Sequence, residues 1–136
     1  MANRVMLDSA ILIEHFRARN KENTCYTRAV RDYDTRLISV VTKLEILRGS
    51  RAEITEYWNA VFATMEIVPF TDDMVAKAHD IILELKRKNQ LIEMEDIMIA
   101  ATAISRGLPL ATLNRKHFER IEGLVLVDGE TTEPQS

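Results

Sequence analysis

Apolar and polar positions along the chain fall into two rhythms. Short β-branched or apolar runs at Arg4 to Leu7, Arg36 to Val41, Glu66 to Val68, Pro109 to Thr112 and Leu124 to Val127 predict five strands. Between them lie longer segments of helical period: Ser9 to Arg19, Asn23 to Tyr33, Thr42 to Gly49, Ala52 to Met65, Asp72 to Asn89 and Glu93 to Arg106, with a short helical turn near Arg115 to Ile121. Brief apolar strands suit a parallel sheet covered on both faces, and helices of this length supply its crossovers. The expected class is α/β, with a central parallel sheet of about five strands flanked by helices.

The segment from Glu93 has the clearest boundaries. Met94, Ile97, Met98, Ala101 and Ile104 recur on one helical face, and Gly107 followed by Pro109 stops the helix. Its alanines allow close packing on a sheet. In Ala52 to Met65, the residues Ile54, Trp58, Val61 and Met65 form an apolar stripe that Tyr57 and Phe62 widen; core packing is the expectation, a partner groove or dimer face the sharper alternative. No repeat or interdomain linker interrupts the pattern. One domain over residues 1–128 is expected, with 129–136 as a disordered tail.

Composition narrows the class further. The chain has 136 residues, 46% hydrophobic and 29% charged, the profile of one soluble globular domain. At this size about two-thirds of the unfolded surface can be buried, so folding needs no metal or disulfide. The single cysteine, Cys25, has no partner for an internal disulfide, and no Cys/His group has zinc spacing; a reducing cytoplasm is the expected location. The apolar stretch Val5 to Ile13 is cut by Asp8 and lacks a basic leader, so neither secretion nor a membrane span is expected. Formal net charge is −3, unevenly spread: residues 1–52 carry 10 Lys/Arg against 6 Asp/Glu, and residues 53–136 carry 8 against 15. The basic first half suits a polyanion and also suits a plain solvated surface.

Three acids occupy related positions in this plan. Asp8 follows the first strand, Glu45 is expected in the first turn of the helix after the second, and Asp96 in the first turn of the alanine-rich helix. In open parallel sheets ligands bind beyond the carboxyl ends of the strands, where the winding reverses. Thr112 and Asn114 run off a strand toward the same edge. Each acid also has a structural explanation: Thr42-Lys43-Leu44-Glu45 matches a capping box, Asp8 or Ser9 can cap a helix, and Asp96 can oppose a helix dipole. Convergence decides between these readings. Two unit charges about 4 Å apart repel by roughly 4 kcal/mol at an effective dielectric near 20, so a true cluster requires a cation or raised pKa values. Oxygen ligands alone favour Mg²⁺ or Mn²⁺.

Four segments together resemble the PIN-domain nucleases. Val5-Met6-Leu7-Asp8-Ser9-Ala10-Ile11-Leu12-Ile13 is similar to their opening signature, Ser39 to Gly49 to the second, Glu95-Asp96-Ile97-Met98-Ile99-Ala100-Ala101-Thr102-Ala103 to the third, and Ala111-Thr112-Leu113-Asn114-Arg115-Lys116-His117-Phe118 to the fourth. The likeness runs from Arg4 to Val127, and in size and wording it resembles the VapC-type toxins of prokaryotic toxin-antitoxin pairs. The resemblance implies an Mg²⁺- or Mn²⁺-dependent endoribonuclease in which Asp8, Glu45 and Asp96 bind metal and act in catalysis, with Ser9, Thr112 and Asn114 in support. It further implies an RNA substrate, a VapB-type antitoxin partner and a homodimer. The departure lies in the fourth segment: many members carry an acid at the place of Asn114 or His117, and this chain has neither. A two-metal resting state is therefore not assumed, and the alternative function is a catalytically impaired module that binds nucleic acid or protein.

Other polar residues carry less. His117 is expected to be an exposed histidine at a helix start, with a base or phosphate contact as the alternative. Arg17, Arg19, Lys21, Lys43, Arg48, Arg115 and Lys116 are candidate phosphate contacts. Neither a Walker loop nor a GxGxxG fingerprint is present, and Asp8-Ser9-Ala10 lacks the second acid that a phospho-receiver needs.

Overall fold

Strand β1 (Arg4–Leu7) lies at the centre of the molecule, paired in parallel with β2 (Thr35–Ser39) on one side and β4 (Leu110–Thr112) on the other. The computed structural model describes residues 3–128; the expected tail, 129–136, lies outside the described residues. Strands β3 (Glu66–Val68) and β5 (Leu126–Asp128) complete an all-parallel sheet of order β3-β2-β1-β4-β5. The chain winds outward from β1 to β3, then returns to β4 on the far side of β1. The winding reverses between β1 and β4, which makes their carboxyl ends the switch point of the sheet.

Alternation along β1 feeds two cores. Val5 and Leu7 face α1 (Ser9–Arg17), α2 (Cys25–Asp32), α3 (Val40–Arg48) and α4 (Thr55–Phe62), where Ile11, Leu12, Ile46, Trp58 and Phe62 are buried. Met6 faces the opposite way, into a core with Met74, Ile81 and Leu85 of α5 (Asp72–Arg87), Ile97 and Ile99 of α6 (Met94–Ser105), and Phe118 of α7 (Arg115–Phe118). The result is the expected α/β architecture, with helices on both faces of the sheet.

Several boundaries differ from the sequence expectation for identifiable reasons. Strand β2 ends at Ser39 rather than Val41, because the Ser39 hydroxyl accepts the Val41 N–H at 3.0 Å and caps α3 there. Thr42 therefore sits inside the helix, fully buried, and the Thr42–Glu45 capping box does not form. Glu45 accordingly lies in the second turn, not the first. The expected helix over 52–65 divides into a 3-10 turn, Ala52–Ile54, and α4; Trp58 and Phe62 take the core role while Tyr57 stays part-exposed. Strand β5 begins two residues later than expected, after Gly123 turns the chain at φ +86° and leaves Val125 largely exposed. Met94 proves exposed, and α6 buries Ile99, Ala100, Thr102 and Ala103 as well as its Ile97/Ala101 stripe, because it packs against α3 and α5 as well as the sheet. Gly107, at φ +65°, closes it by letting the Leu108 N–H reach the Ala103 carbonyl at 2.9 Å.

Cys25 is buried and unpaired, and burial pushes its thiol up to about 11. No helix among the described residues is long and apolar enough to cross a membrane.

Candidate active site

The end of β1 places Asp8 in the crevice beside β4. Its backbone N–H continues the strand pairing by donating to the Ala111 carbonyl at 3.1 Å, and its side chain caps α1. Oδ1 accepts the Ala10 N–H at 3.2 Å and the Ser9 hydroxyl at 3.3 Å; Oδ2 accepts the Thr112 hydroxyl at 2.5 Å. Only 4% of Asp8 is exposed. The capping explanation is thus correct for Asp8, yet it uses one carboxylate oxygen and leaves the other to bridge the sheet.

Asp96 stands in the first turn of α6, where its charge opposes the helix dipole. Burial nevertheless raises its pKa above the ordinary carboxylate value, and Asp8 and Glu93 add to the rise, against the opposing hydrogen bond and charge of His117. Its Oδ2 lies 3.1 Å from His117 Nδ1. Glu45 is raised first by burial and then by the charges of Asp8, Asp96 and Glu95, with the Ser9 hydroxyl opposing. The Glu45 Oε1 atom is buried without a hydrogen-bond partner. Asp8 and Asp96, far from Glu45 in sequence, are therefore close enough for their charges to disfavour its ionisation, and Asp8 acts on Asp96 in the same way.

The β4–α7 segment brings in the supporting residues. The Thr112 hydroxyl accepts the Asn114 backbone N–H at 2.9 Å, and the Asn114 side chain lies 2.9 Å from His117 Nδ1. Asn114 sits at the N-terminal cap position of α7, though its side chain caps no N–H. His117 is the residue that sequence reasoning set aside as a surface histidine. Its signal was the spacing Asn114-x-x-His117, which on the first turn of a helix puts both side chains on one face beside the end of β4.

The basic candidates divide. Lys21 is committed elsewhere: its Nζ donates to the His15, Phe16 and Ala18 carbonyls at 2.7, 3.0 and 2.9 Å, closing the end of α1, so the expected phosphate role is withdrawn. Lys43 Nζ lies 5.6 Å from the Phe62 ring centroid, and Arg115 pairs with Glu119 at 3.6 Å. Arg17 borders a cavity of about 230 Å³ lined by Phe16, Trp58, Ile54 and Glu45. A second cavity of about 220 Å³, between α5 and the segment after α7, holds none of the candidate site residues.

Among the described residues, no group of three or more His, Cys, Asp or Glu side chains is placed to hold a metal ion. In donor chemistry the residues suit a hard divalent cation: every candidate ligand is an oxygen, Asp8 and Asp96 raise the pKa of Glu45, and Glu45 Oε1 is an acceptor with nothing to accept.

Acids drawn from β1, α3 and α6 to the switch point of a 3-2-1-4-5 parallel sheet define a class of α/β domain built around an oxygen-rich carboxylate cluster. The PIN domain family profile matches residues 5–124, and the chain belongs to that family. Among its curated relatives, Ribonuclease VapC1 of Methanocaldococcus jannaschii is 31% identical over 129 residues, covering 93% of this chain and 88% of the relative. Ribonuclease VapC10 of Mycobacterium tuberculosis is 35% identical over 121 residues, covering 88% and 90%. The crystal structure of DNA-bound VapBC from Salmonella typhimurium contains a chain that matches with a TM-score of 0.79 at 28% identity, covering 95% of this chain and 99% of that one.

Proposed function

We propose that this protein is a divalent-metal-dependent endoribonuclease, the toxin of a toxin-antitoxin pair, with Asp8, Glu45 and Asp96 as its metal-binding and catalytic carboxylates. The observation that carries the reading is the electrostatic burden that Asp8 and Asp96 place on Glu45, together with the unpartnered, buried Glu45 Oε1. Burying like charges without compensation is costly, and a cation at this point offsets the cost. The names of the relatives, ribonucleases called VapC, support the choice of RNA as substrate.

Mg²⁺ or Mn²⁺ bound by the three acids would lower the pKa of a water, compensate charge on the phosphate oxygens and stabilise the departing alkoxide. The chain's own residues set up that chemistry. Asp8, fixed by Thr112 and by the first turn of α1, defines the position of the cluster; Asp96 or Asp8 orients the attacking water. Ser9 offers a hydroxyl between Asp8 and Glu45. Arg17, Arg48 and Lys116 supply positive charge for RNA phosphates. Water attacks phosphorus, the bond to the 3′ oxygen breaks, and the products carry a 5′-phosphate and a 3′-hydroxyl.

A VapB-type antitoxin protein, a homodimeric assembly and a cytoplasmic location belong to the same proposal; the antitoxin partner is supported by the similarity to a chain of the Salmonella typhimurium VapBC complex. The test is cleavage of end-labelled structured RNAs by purified protein in Mg²⁺, in Mn²⁺ and in EDTA, with Asp8→Asn alongside. Discrete cuts with 5′-phosphate ends, absent in EDTA and in the variant, are expected. Folded protein that cuts no RNA in either metal would instead make the chain a non-catalytic binding module.

A further inference from the structure

Glu45 belongs to two places at once. It stands in the acid cluster, and it lines a cavity of about 230 Å³ together with Phe16 and Arg17 of α1, Arg51 and Ile54 before α4, and Trp58 of α4. The cavity is smaller than the roughly 300–1,000 Å³ of pockets that enclose a whole small molecule, and far larger than the roughly 30 Å³ that one water takes. It suits a single side group presented by a larger partner.

The walls specify the kind of group. Phe16 and Trp58 give an aromatic surface, their ring centroids 5.3 Å apart. Trp58 is 2% exposed, and its indole Nε1 has no hydrogen-bond partner among the described residues. An indole N–H can only donate, and one buried without an acceptor carries an uncompensated loss of solvation. Arg17 and Arg51 are exposed and pair with no acid among the described residues. Both belong to the half of the chain that carries excess positive charge. An unpaired RNA base answers all of these features: a π-face for the aromatic surface, a carbonyl or ring nitrogen for the indole N–H, and flanking phosphates for the two guanidiniums. An apolar side chain from a partner protein would use the aromatic surface and leave Nε1 and both arginines unanswered.

We propose that this cavity is a base-binding subsite that takes one unpaired nucleobase of an RNA strand, with Trp58 Nε1 donating to the base and Arg17 and Arg51 meeting the flanking phosphates. The proposal rests on the RNA-cleaving reading above and adds the form of the substrate. A base inside a duplex is stacked and paired and cannot enter, so the strand is single where it is held. Because Glu45 lines the cavity, the backbone of the captured nucleotide is brought to the acids. No bound metal is needed for this capture.

Trp58 is the chain's one tryptophan, so its fluorescence reports this cavity. The probes are a single-stranded RNA octamer of mixed sequence, the same octamer paired with its complement, and an octamer of abasic ribose phosphates, all in EDTA. The single strand is expected to shift Trp58 emission saturably and to bind about 5- to 150-fold tighter than the abasic chain, the range for one base stacked on an aromatic ring. The duplex should leave the emission unchanged. Binding to variants is read from the anisotropy of fluorescein attached to the RNA. Trp58→Phe keeps a ring and removes the N–H; it should cost about 2- to 12-fold on the single strand and nothing on the abasic chain. Ile54→Phe, which fills the cavity and leaves Nε1–H in place, should bring the single strand down to the abasic level, and it keeps the test decisive if Trp58→Phe fails to fold. Single-stranded and abasic chains bound within twofold of each other, an unmoved Trp58 emission, or an Ile54→Phe protein that binds the single strand as the parent does each overturns the subsite and leaves the cavity to a protein side chain. Base-dependent binding in EDTA with no cleavage in Mg²⁺ or Mn²⁺ would keep the subsite and remove the ribonuclease reading; cleavage without base-dependent binding would do the reverse.

Discussion

The Thr112 hydroxyl donates to Asp8 Oδ2 at 2.5 Å, joining residues 104 apart in sequence across the carboxyl ends of β4 and β1. Both side chains are nearly inaccessible, Thr112 at 1% and Asp8 at 4% exposure. A buried carboxylate must have its oxygens satisfied, and Thr112 is the group that satisfies this one. The bond therefore ties the position of a candidate metal ligand directly to the strand pairing at the switch point.

Thr112→Val keeps the shape and removes the hydroxyl. It leaves Asp8 Oδ2 buried without a donor, so we expect a loss of about 1–3 kcal/mol by urea unfolding together with weaker Mn²⁺ binding. Thr112→Ser should retain most of both. Equal stability of the valine and threonine proteins would mean that Asp8 is satisfied by other means.

Glu45 titrates above the usual carboxylate range in the metal-free fold, so the native state holds its proton more tightly than the unfolded chain does. Stability from this source is fully present below the unfolded carboxylate value, near 4, and falls as pH rises through the raised folded value. Glu45→Gln removes the charge and should raise the thermal midpoint in EDTA at pH 7. The gain should vanish near pH 4, where the native glutamic acid is itself protonated. With excess Mn²⁺ the order should reverse, since the intact protein gains ligand stabilisation that the variant lacks. A variant less stable than the parent at every pH in EDTA would show that Glu45 carries no electrostatic penalty.

Ser39 starts α3 and thereby sets the rotation at which Glu45 leaves the helix. Ser39→Ala should cost about 0.5–2 kcal/mol through loss of the cap to Val41, whereas Ser39→Asp should recover part of it. Thr42→Ala offers the contrast: its hydroxyl has no partner, so it should cost less than the Ser39 change even though Thr42 is equally buried. A larger loss at Thr42 than at Ser39, read by chemical denaturation, would restore the capping box.

Phe118 anchors α7 with no exposed surface, and α7 carries His117. Phe118→Ala should destabilise by about 3–5 kcal/mol. It should also weaken Mn²⁺ binding at temperatures where the variant remains folded, because the helix that presents His117 loses its hold on the core. Affinity equal to that of the parent would detach the packing of α7 from the site.

The fold was legible because it is written in local signals. Strands as short as Glu66–Val68 were found from apolar runs, and the stop at Gly107 from a residue suited to positive φ. Errors gathered where two local signals compete. Val40 and Val41 favour strand by side chain, but the Ser39 cap starts the helix before them; Thr42 to Glu45 has the spelling of a cap without the position. Met94 continued the stripe of α6 in sequence yet lies exposed, because the periodicity of a helix marks a face and only its neighbours decide how far that face is covered.

The site divides along the same line. Asp8, Glu45, Asp96, Thr112 and Asn114 could be singled out from the chain alone, since an acid or hydroxyl at the end of a predicted parallel strand or near the start of the following helix points to the carboxyl edge of the sheet. Sequence by itself thus determined the α/β class, the order of elements and the sheet edge at which the candidate residues meet, all of which follow from periodicity and chain direction. Tertiary structure alone decided that Asp8 and Thr112 bond, that Asp8 and Asp96 raise the pKa of Glu45, and that His117 turns to Asp96. Those facts depend on distances between residues brought together by the β1–β4 pairing and by the packing of α6 against α3 and α7, and such distances have no local signature in the sequence.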